Sequence, residues 1–597
     1  MSDQDSQLNT FPAICMQNQI PEQLISAEIT NIRWERINMH LICKIKKSPS
    51  YNRTAPLEFY ALTDFYRTNA KFKVLFHEDE VYELTLNITN PGYCKCLPSA
   101  TYRIAVCTGE QILAIAEVSP DLAPFLPDKS REFLYSKKNC SYIIDFSIAD
   151  EEYGLRLEFR ALNTRKSKIA DYSRPLSPKK ASASHSLFPK SKVKKWIRKY
   201  YTKKAGKFDR SYTGTPRTVL FMSEQSEQLG SNLTSVMNRM KQRGLDKNYT
   251  ILTSARSAVN KHYNYKSWYT LINKVAQADI IFIDDHCPFL DWLILSRRTR
   301  LIQLWHAGAG FKSSGYSRWG HKGCPGPMSG HRQYDYGITS SVRIAHFYSE
   351  VFGINPEQLL PTGMPRMDEY LNPEYRNITE KNLYEIFPQI KDRKVILFAP
   401  TYRGKNRSDA HYPYEMIDFD RMYKFCADEY VILFKMHPWV AQPVPIPKAY
   451  RDKMIDVNKY PNINDLFYVT DLMITDYSSG IFEYSLMRKP MLFFAFDEIQ
   501  YSYSRGFHRP YEESAPGKVC HTFDELMDAM EKKDYDYEKV GKYIKLHFDN
   551  IDTNASDRVI DWFLLGHIPE EYERRIDAIT EENKKLLQLD FSSLDFR

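Results

Sequence analysis

Beyond Thr218 the apolar residues of this 597-residue chain gather into short runs separated by helix-length segments, and that arrangement constrains its fold more than any other feature. Val219-Leu220-Phe221, Ile251-Leu252, Ile280-Ile281-Phe282-Ile283 and Leu301-Ile302-Gln303-Leu304 form one series. Val395-Ile396-Leu397-Phe398, Val431-Ile432-Leu433-Phe434, Leu472-Met473-Ile474 and Met491-Leu492-Phe493-Phe494 form a second. Runs this short suit strands buried on both faces, and strands alternating with helices require a parallel sheet covered on each side. Two such series predict an α/β fold of two Rossmann-like domains, residues 216–375 and 376–567, facing each other across a cleft that would hold a ligand.

The chain before Thr218 has another period. Ile37, Met39, Leu41, Cys43 and Ile45 alternate with mostly polar residues, as do Tyr82, Leu84, Leu86 and Ile88, and turn clusters such as Asn90-Pro91-Gly92 punctuate the runs. This predicts an antiparallel β-sandwich-like domain over 1–164. No cluster of acids, histidines or nucleophiles falls in it, so it reads as an accessory module. Residues 165–215 form a basic linker, within which Val193, Trp196, Ile197 and Tyr200 share a helical face flanked by Lys194, Lys195, Arg198, Lys199 and Lys203. Such a helix suits an anionic membrane surface. Packing on a neighbouring domain, a solvated surface or nucleic acid would draw on the same composition; the membrane surface is the expected partner, and no nucleic acid is expected. Residues 568–597 form a tail in which Glu571 to Leu586 predicts a helix that packs on the body or supports a homo-oligomer.

No apolar run approaches the roughly twenty residues of a transmembrane helix, and the segment MSDQDSQLNTF is acidic with no hydrophobic stretch, which points to the cytoplasm rather than secretion. Ten scattered cysteines agree with a reducing compartment. His321, Cys324 and His331 could be drawn as a metal site, but a fourth ligand at recognisable spacing is missing, so no metal or cofactor is expected.

Chemistry-bearing residues follow the strands. Trp305-His306-Ala307-Gly308 follows the fourth run, and a histidine there suits a general base. Lys435-Met436-His437-Pro438 offers a cation and an imidazole to phosphate. Ala399-Pro400-Thr401-Tyr402-Arg403 and Gly363-Met364-Pro365-Arg366 occupy equivalent positions. In Asp471 to Pro490, DLMITDYSSGIFEYSLMRKP, a strand runs into Ser478 and Ser479 at the expected N-cap and first turn of a helix, with Glu483 one turn on. Amides at a helix start and serine hydroxyls suit phosphate oxygens, and a carboxylate one turn later suits a ribose diol. An ordinary capped helix would give the same local pattern. Together, these positions suggest an enzyme using a nucleotide diphosphate donor.

At these residues the chain resembles the CDP-glycerol glycerophosphotransferases of teichoic acid and capsule synthesis. QLWHAGAGFKSSGYS, PTGMPRMDEYL, ILFAPTYRG, LFKMHP and VTDLMITDYSSGIFEYSLMRKPMLFF carry the resemblance, from about Arg217 to Leu564. It implies a GT-B fold, peripheral attachment to the cytoplasmic face of the membrane, and transfer of glycerol phosphate or ribitol phosphate from a CDP-polyol to a lipid-linked polyol-phosphate or glycan acceptor. By motif, His306 matches the base and His437 the second histidine near the donor phosphates. Arg366, Pro400, Thr401, Arg403, Lys435, Ser478, Ser479 and Glu483 are the expected donor contacts. The chain departs from the family at Ala307, where a glycine is common, and at Lys435-Met436, where some members have Arg-Pro. A nucleotide-sugar glycosyltransferase on the same frame, or a noncatalytic polymer-binding scaffold, are the rival readings.

Overall fold

A computed structural model describes residues 25–51, 55–63, 70–92, 94–108, 111–135, 140–149, 155–165, 190–257, 263–308, 312–321, 323–404 and 407–573. The helix expected over Glu571 to Leu586 lies almost wholly outside the described residues, as does the first half of the basic linker.

The chain is a mixed α/β protein with two parallel six-stranded sheets. In the first, the order is Thr250–Ala255, Thr218–Ser223, Ile280–Ile283, Arg300–Gln303, Tyr336–Ile338 and Leu359–Leu360. In the second it is Met454–Asp456, Tyr430–Phe434, Lys394–Phe398, Leu472–Thr475, Met491–Phe494 and Lys518–Cys520. Each apolar run beyond Thr218 falls in one of these strands, with Leu304 one residue past the end of Arg300–Gln303. The strands without such a run, Tyr336–Ile338, Leu359–Leu360, Met454–Asp456 and Lys518–Cys520, have two or three residues each and lie toward the sheet edges, too short to leave a periodic signal.

Strand order reverses between Thr218–Ser223 and Ile280–Ile283 in the first sheet and between Lys394–Phe398 and Leu472–Thr475 in the second. At such a switch point the connecting helices leave to opposite faces and open a crevice beyond the carboxyl ends of the strands. The two units share one hydrophobic core, in which Phe221, Phe282 and Leu304 join Leu397, Leu433 and Phe493. The chain then returns to its first unit. Ala555–Val559 packs on the helix Ser231–Gln242, where Asp557 is 2.9 Å from both Arg239 and Arg243, and Asp368 accepts the amides of Ala555 and Ser556 at 2.8 and 2.7 Å.

Residues 25–165 form two largely antiparallel sheets whose inward residues, among them Ile29, Leu41 and Leu84 from one and Phe59, Ile104 and Phe159 from the other, belong to a single core. Trp319 of the first α/β unit enters that core, 4.9 Å from the Tyr142 ring. Arg332, fully buried, donates to the Thr89 carbonyl at 2.8 Å. The Gly- and Pro-rich loop after His306 therefore joins two units. His331, Cys324 and His321 are not gathered: Nδ1 of His331 meets the Tyr334 hydroxyl at 2.8 Å, while Cys324 lies against the Leu134 carbonyl.

Lys190–Ser211 is a helix docked on the first α/β unit. Ile197, Tyr201 and Ala205, four residues apart, are buried with Leu220, Leu271 and Ile281. Trp196 stays 37% exposed, stacked 5.5 Å from Tyr200 and tilted 4.7 Å from Tyr265. Lys194 lies over the Trp292 ring at 5.2 Å, Arg198 donates to the Trp292 carbonyl at 2.6 Å, and Lys195 and Lys199 are exposed. The sequence reading put Trp196 and Ile197 on one surface face; packing separates them.

Candidate active site between the two parallel sheets

Both switch points open into one cavity of about 450 Å³. From the first unit it is lined by Gly230, Asn232, Asp284, Trp305, His306 and Arg366. From the second come Pro400, Thr401, Lys435, His437, Ser478, Ser479 and Glu483. Of the expected site residues outside the basic helix, this brings together all but Arg403.

His306 is held from behind. Its Nδ1 is 3.1 Å from the Asp284 carbonyl oxygen and 3.4 Å from a carboxylate oxygen of Asp285. A carbonyl can only accept, so Nδ1 carries a proton, and in the neutral form of the ring Nε2 is the free nitrogen. The side chain is 54% exposed. Trp305, immediately before it, adopts φ 51°, a left-handed conformation unusual for a bulky residue, and Phe352 packs edge-on to its ring at 5.0 Å. Asn232 fixes this turn, donating to the carbonyls of Leu304 and Trp305 at 3.0 and 2.9 Å and accepting the Arg366 amide at 3.0 Å. Gly308 is required next in line, because a Cβ there would stand 2.3 Å from the Phe482 ring of the second unit.

His437 is tuned the other way. The Trp439 amide donates to Nδ1 at 3.1 Å, which leaves the proton on Nε2. Tyr402 and Trp439 crowd the ring at 4.7 and 5.5 Å. Burial, reinforced by the charge of Lys312, draws its pKa down to about 4, so near neutrality it is an uncharged hydrogen-bond donor.

Lys435 follows its strand as expected, but its ammonium is committed to the carbonyls of Asn458 at 2.9 Å and Tyr460. Burial lowers its pKa. The lysine thus anchors the 457–460 loop on the cavity wall. Ser478 and Ser479 lie ahead of the helix rather than at its N-cap: Ile481–Ser485 is capped by Gly480, and Ser478 Oγ accepts the Gly480 amide at 3.2 Å. With five residues this helix carries little dipole, so hydroxyls and loop amides are what it offers to phosphate.

Arg366 and Glu483 pair across the units. The guanidinium binds the Glu483 carboxylate through Nε at 3.0 Å and through Nη2, and donates from Nη1 to the His306 carbonyl at 2.8 Å. The carboxylate expected to meet a ribose diol is therefore already engaged. Arg403 lies outside the cavity. It bridges Asp476 at 2.9 Å and Asp497 at 2.6 Å and is held well above its ordinary pKa, the two carboxylates outweighing its burial. Asp476 also accepts the Thr401 amide at 2.8 Å, so Arg403 clamps the loops at the second switch point.

Sequence reasoning missed Asn232, Asp284 and Asp285. Asp284 accepts the Gly230 amide at 3.1 Å, and burial raises its pKa. A Cβ at Gly230 would stand 2.3 Å from that carboxylate, so only glycine allows this approach. The available signal was the pair of acids directly after Ile280–Ile283, the same strand-end position that singled out His306.

Fold and cavity together define an α/β protein with its candidate site at the meeting of two parallel-sheet units. The sequence model of the CDP-glycerol:poly(glycerophosphate) glycerophosphotransferase family matches residues 208–565, more than half the chain, and the protein belongs to that family. It is 39% identical over 345 residues to the teichoic acid ribitol-phosphate polymerase TarL of Staphylococcus aureus, covering 58% of this chain and 61% of that one. Against the teichoic acid poly(ribitol-phosphate) polymerase of Bacillus spizizenii it is 37% identical over 362 residues, covering 60% and 58%. The match thus spans about six-tenths of the length of these relatives. A solved structure of the wall teichoic acid polymerase TagF aligns with TM-score 0.47 at 21% identity, over 66% of this chain and 97% of that one.

Proposed function

We propose that this chain transfers polyol phosphate from a CDP-polyol to a hydroxyl of a membrane-linked polyol-phosphate or glycan acceptor in teichoic acid or capsule synthesis, releasing CMP. The observation that carries this reading is that one cavity collects a histidine with a free Nε2 from the first unit and a histidine with a protonated Nε2 from the second. The acceptor hydroxyl attacks the β-phosphorus and forms the new phosphodiester, while the bond from that phosphorus to the bridging oxygen breaks. The hydroxyl proton passes to Nε2 of His306, and the Asp285 carboxylate stabilises the imidazolium formed. Negative charge gathering on the departing CMP and the nonbridging oxygens meets His437 Nε2–H and the hydroxyls of Ser478, Ser479 and Thr401.

In this reading the two α/β units form a GT-B pair, 216–375 bearing the acceptor side and 376–567 the donor side, and the preceding two sheets are an accessory β-sandwich. No helix among the described residues is long and apolar enough to cross a membrane. We infer peripheral attachment at the cytoplasmic face through Lys194, Lys195, Trp196, Arg198 and Lys199, supported by the basic surface left exposed once Ile197, Tyr201 and Ala205 are packed. Reversing Lys195 and Lys199 to Glu should cut co-sedimentation with anionic vesicles several-fold; unchanged sedimentation discards the attachment.

The deciding assay is CMP release by purified protein from CDP-ribitol and CDP-glycerol, with a lipid-linked acceptor and a His306→Ala control. CDP-ribitol is tested first, because the relatives described above are ribitol-phosphate polymerases. Silence with both donors while a UDP-sugar turns over would replace the reaction with glycosyl transfer.

A further inference from the structure

A second cavity of about 290 Å³ opens on the other side of His306 and shares Trp305, His306 and Ser479 with the first. Its wall is cationic. Lys312, Arg318 and Arg505 line it together with His508, Ser313 and Ser314, and among the described residues no aspartate or glutamate does. The acid whose charge acts on Lys312 is Asp476, already committed to Arg403 and the Thr401 amide. Three cations around one small cavity repel one another unless an anion enters between them.

The cavity is also built rather than incidental. Its floor lies at the junction of the units, where the Ser313 amide donates to the Gly506 carbonyl at 3.1 Å and Lys312 bridges Phe507. The Tyr348 hydroxyl braces the turn after His306, donating to the carbonyls of Ala307 and Gly308 at 3.0 and 2.8 Å. His508 is 1% exposed and neither ring nitrogen has a hydrogen-bond partner, although Nδ1 lies 3.9 Å from a carboxylate oxygen of Glu350 outside the cavity lining. Leaving a buried imidazole unpaired is costly, and such groups mark places where a ligand or water completes the bonding. Lys312 is exposed to the cavity that it lines. Its ammonium is drawn down to about 8, chiefly by desolvation, a cost that an entering anion would reverse.

We propose that this cavity is the acceptor subsite: Lys312, Arg318 and Arg505 hold the last phosphodiester of an anionic polyol-phosphate chain, and its terminal hydroxyl is thereby presented to Nε2 of His306. This deepens the transfer reaction proposed above and rests on it. The two cavities then divide the substrates, nucleotide donor in the larger and chain end in the smaller, with His306 on the wall they share. A site of this kind selects acceptors that already bear phosphate and rejects a neutral polyol.

The experiment measures two things on the full chain, using soluble trimers of glycerol phosphate and ribitol phosphate as probes. Calorimetric binding of each trimer without donor is compared among the wild type, Lys312→Gln and Arg505→Gln, with triglycerol as the uncharged control. Steady-state transfer then gives KM for trimer and for CDP-polyol separately. Each substitution should raise the trimer Kd and KM on the order of tenfold, the loss of one charge-assisted hydrogen bond. Donor KM should stay within about twofold in Arg505→Gln, the variant whose charge does not act on His437, and triglycerol should not bind. Melting temperatures within a few degrees of wild type establish that the variants fold. A raised donor KM with an unchanged trimer KM would assign the cavity to the donor and overturn the proposal, as would trimer binding insensitive to both substitutions. Cation-dependent trimer binding by a wild type that turns over no CDP-polyol would keep the anion subsite and sink the reaction instead.

Discussion

The two α/β units present the same residue type at the same kind of place, a histidine just past the carboxyl end of a parallel strand, and make opposite uses of it. His306 has a backbone carbonyl and a carboxylate behind Nδ1 and half its surface open, so its free nitrogen can take a proton and the resulting charge is compensated. His437 has a backbone amide behind Nδ1, rings on two sides and a nearby lysine, so it resists charge and keeps a proton to donate. Position in the fold therefore does not assign a role. What assigns it is the group behind the ring: an acceptor makes a base, a donor makes a hydrogen-bond donor.

The sharpest way to break this contrast is His306→Ala, which should reduce transfer by about a thousandfold or more while CDP-polyol binding, followed by calorimetry, changes little. Binding lost along with activity in a folded protein would put His306 on the donor rather than on the acceptor proton. His437→Ala comes next, with a kcat loss of roughly a hundredfold from one missing donor to the phosphates, and His437→Gln should recover part of it because an amide N–H can stand in for Nε2–H. If Gln and Ala fall equally, the histidine acts through charge instead. Asp285→Asn should cost about tenfold in kcat with donor KM within twofold, since it loosens the ring and removes compensation without touching the donor. An unchanged kcat would remove Asp285 from the mechanism.

The smallest effect is on stability against pH. His437 is drawn down to about 4, and His331 and His547 to about 3, all chiefly by burial. Each folded-state pKa lies below the unfolded value, so as pH falls the unfolded chain binds protons first. The stability these histidines contribute is complete above about pH 6.5 and lost as pH falls toward 4 and 3, at most about 1.4 kcal/mol per pH unit per histidine. Denaturant midpoints between pH 7 and 5 should fall accordingly, and substituting His437 should flatten that slope by one proton. An unaltered slope would mean that His437 is not desolvated in the folded protein.

Much of the frame was legible in the chain. The runs Ile280–Ile283 and Met491–Phe494 are strands with the same bounds, because a strand buried on both faces must be apolar throughout and is cut off by the polar residues at its ends. The residues after Ile280–Ile283, Arg300–Gln303, Lys394–Phe398, Tyr430–Phe434 and Leu472–Thr475 collected in one cavity because parallel strands all point their carboxyl ends to one edge. Arg403 and Lys435 share that placement, and their partners Asp476, Asp497 and the 457–460 carbonyls turned them into braces. Local spacing carries no information about which distant oxygen a cation will meet.

By itself, then, the sequence determined the two parallel-sheet units, the largely antiparallel unit before them and the edge at which chemistry gathers, since these follow from hydrophobic period and chain direction. Only the tertiary structure decided that the basic helix buries Ile197 and Tyr201 in the first unit, that Trp319 plugs the β unit, and that Asp285 stands behind His306. Each of these is a contact between segments far apart in the chain or on different elements. Its free energy depends on packing geometry, which no local pattern of residues encodes.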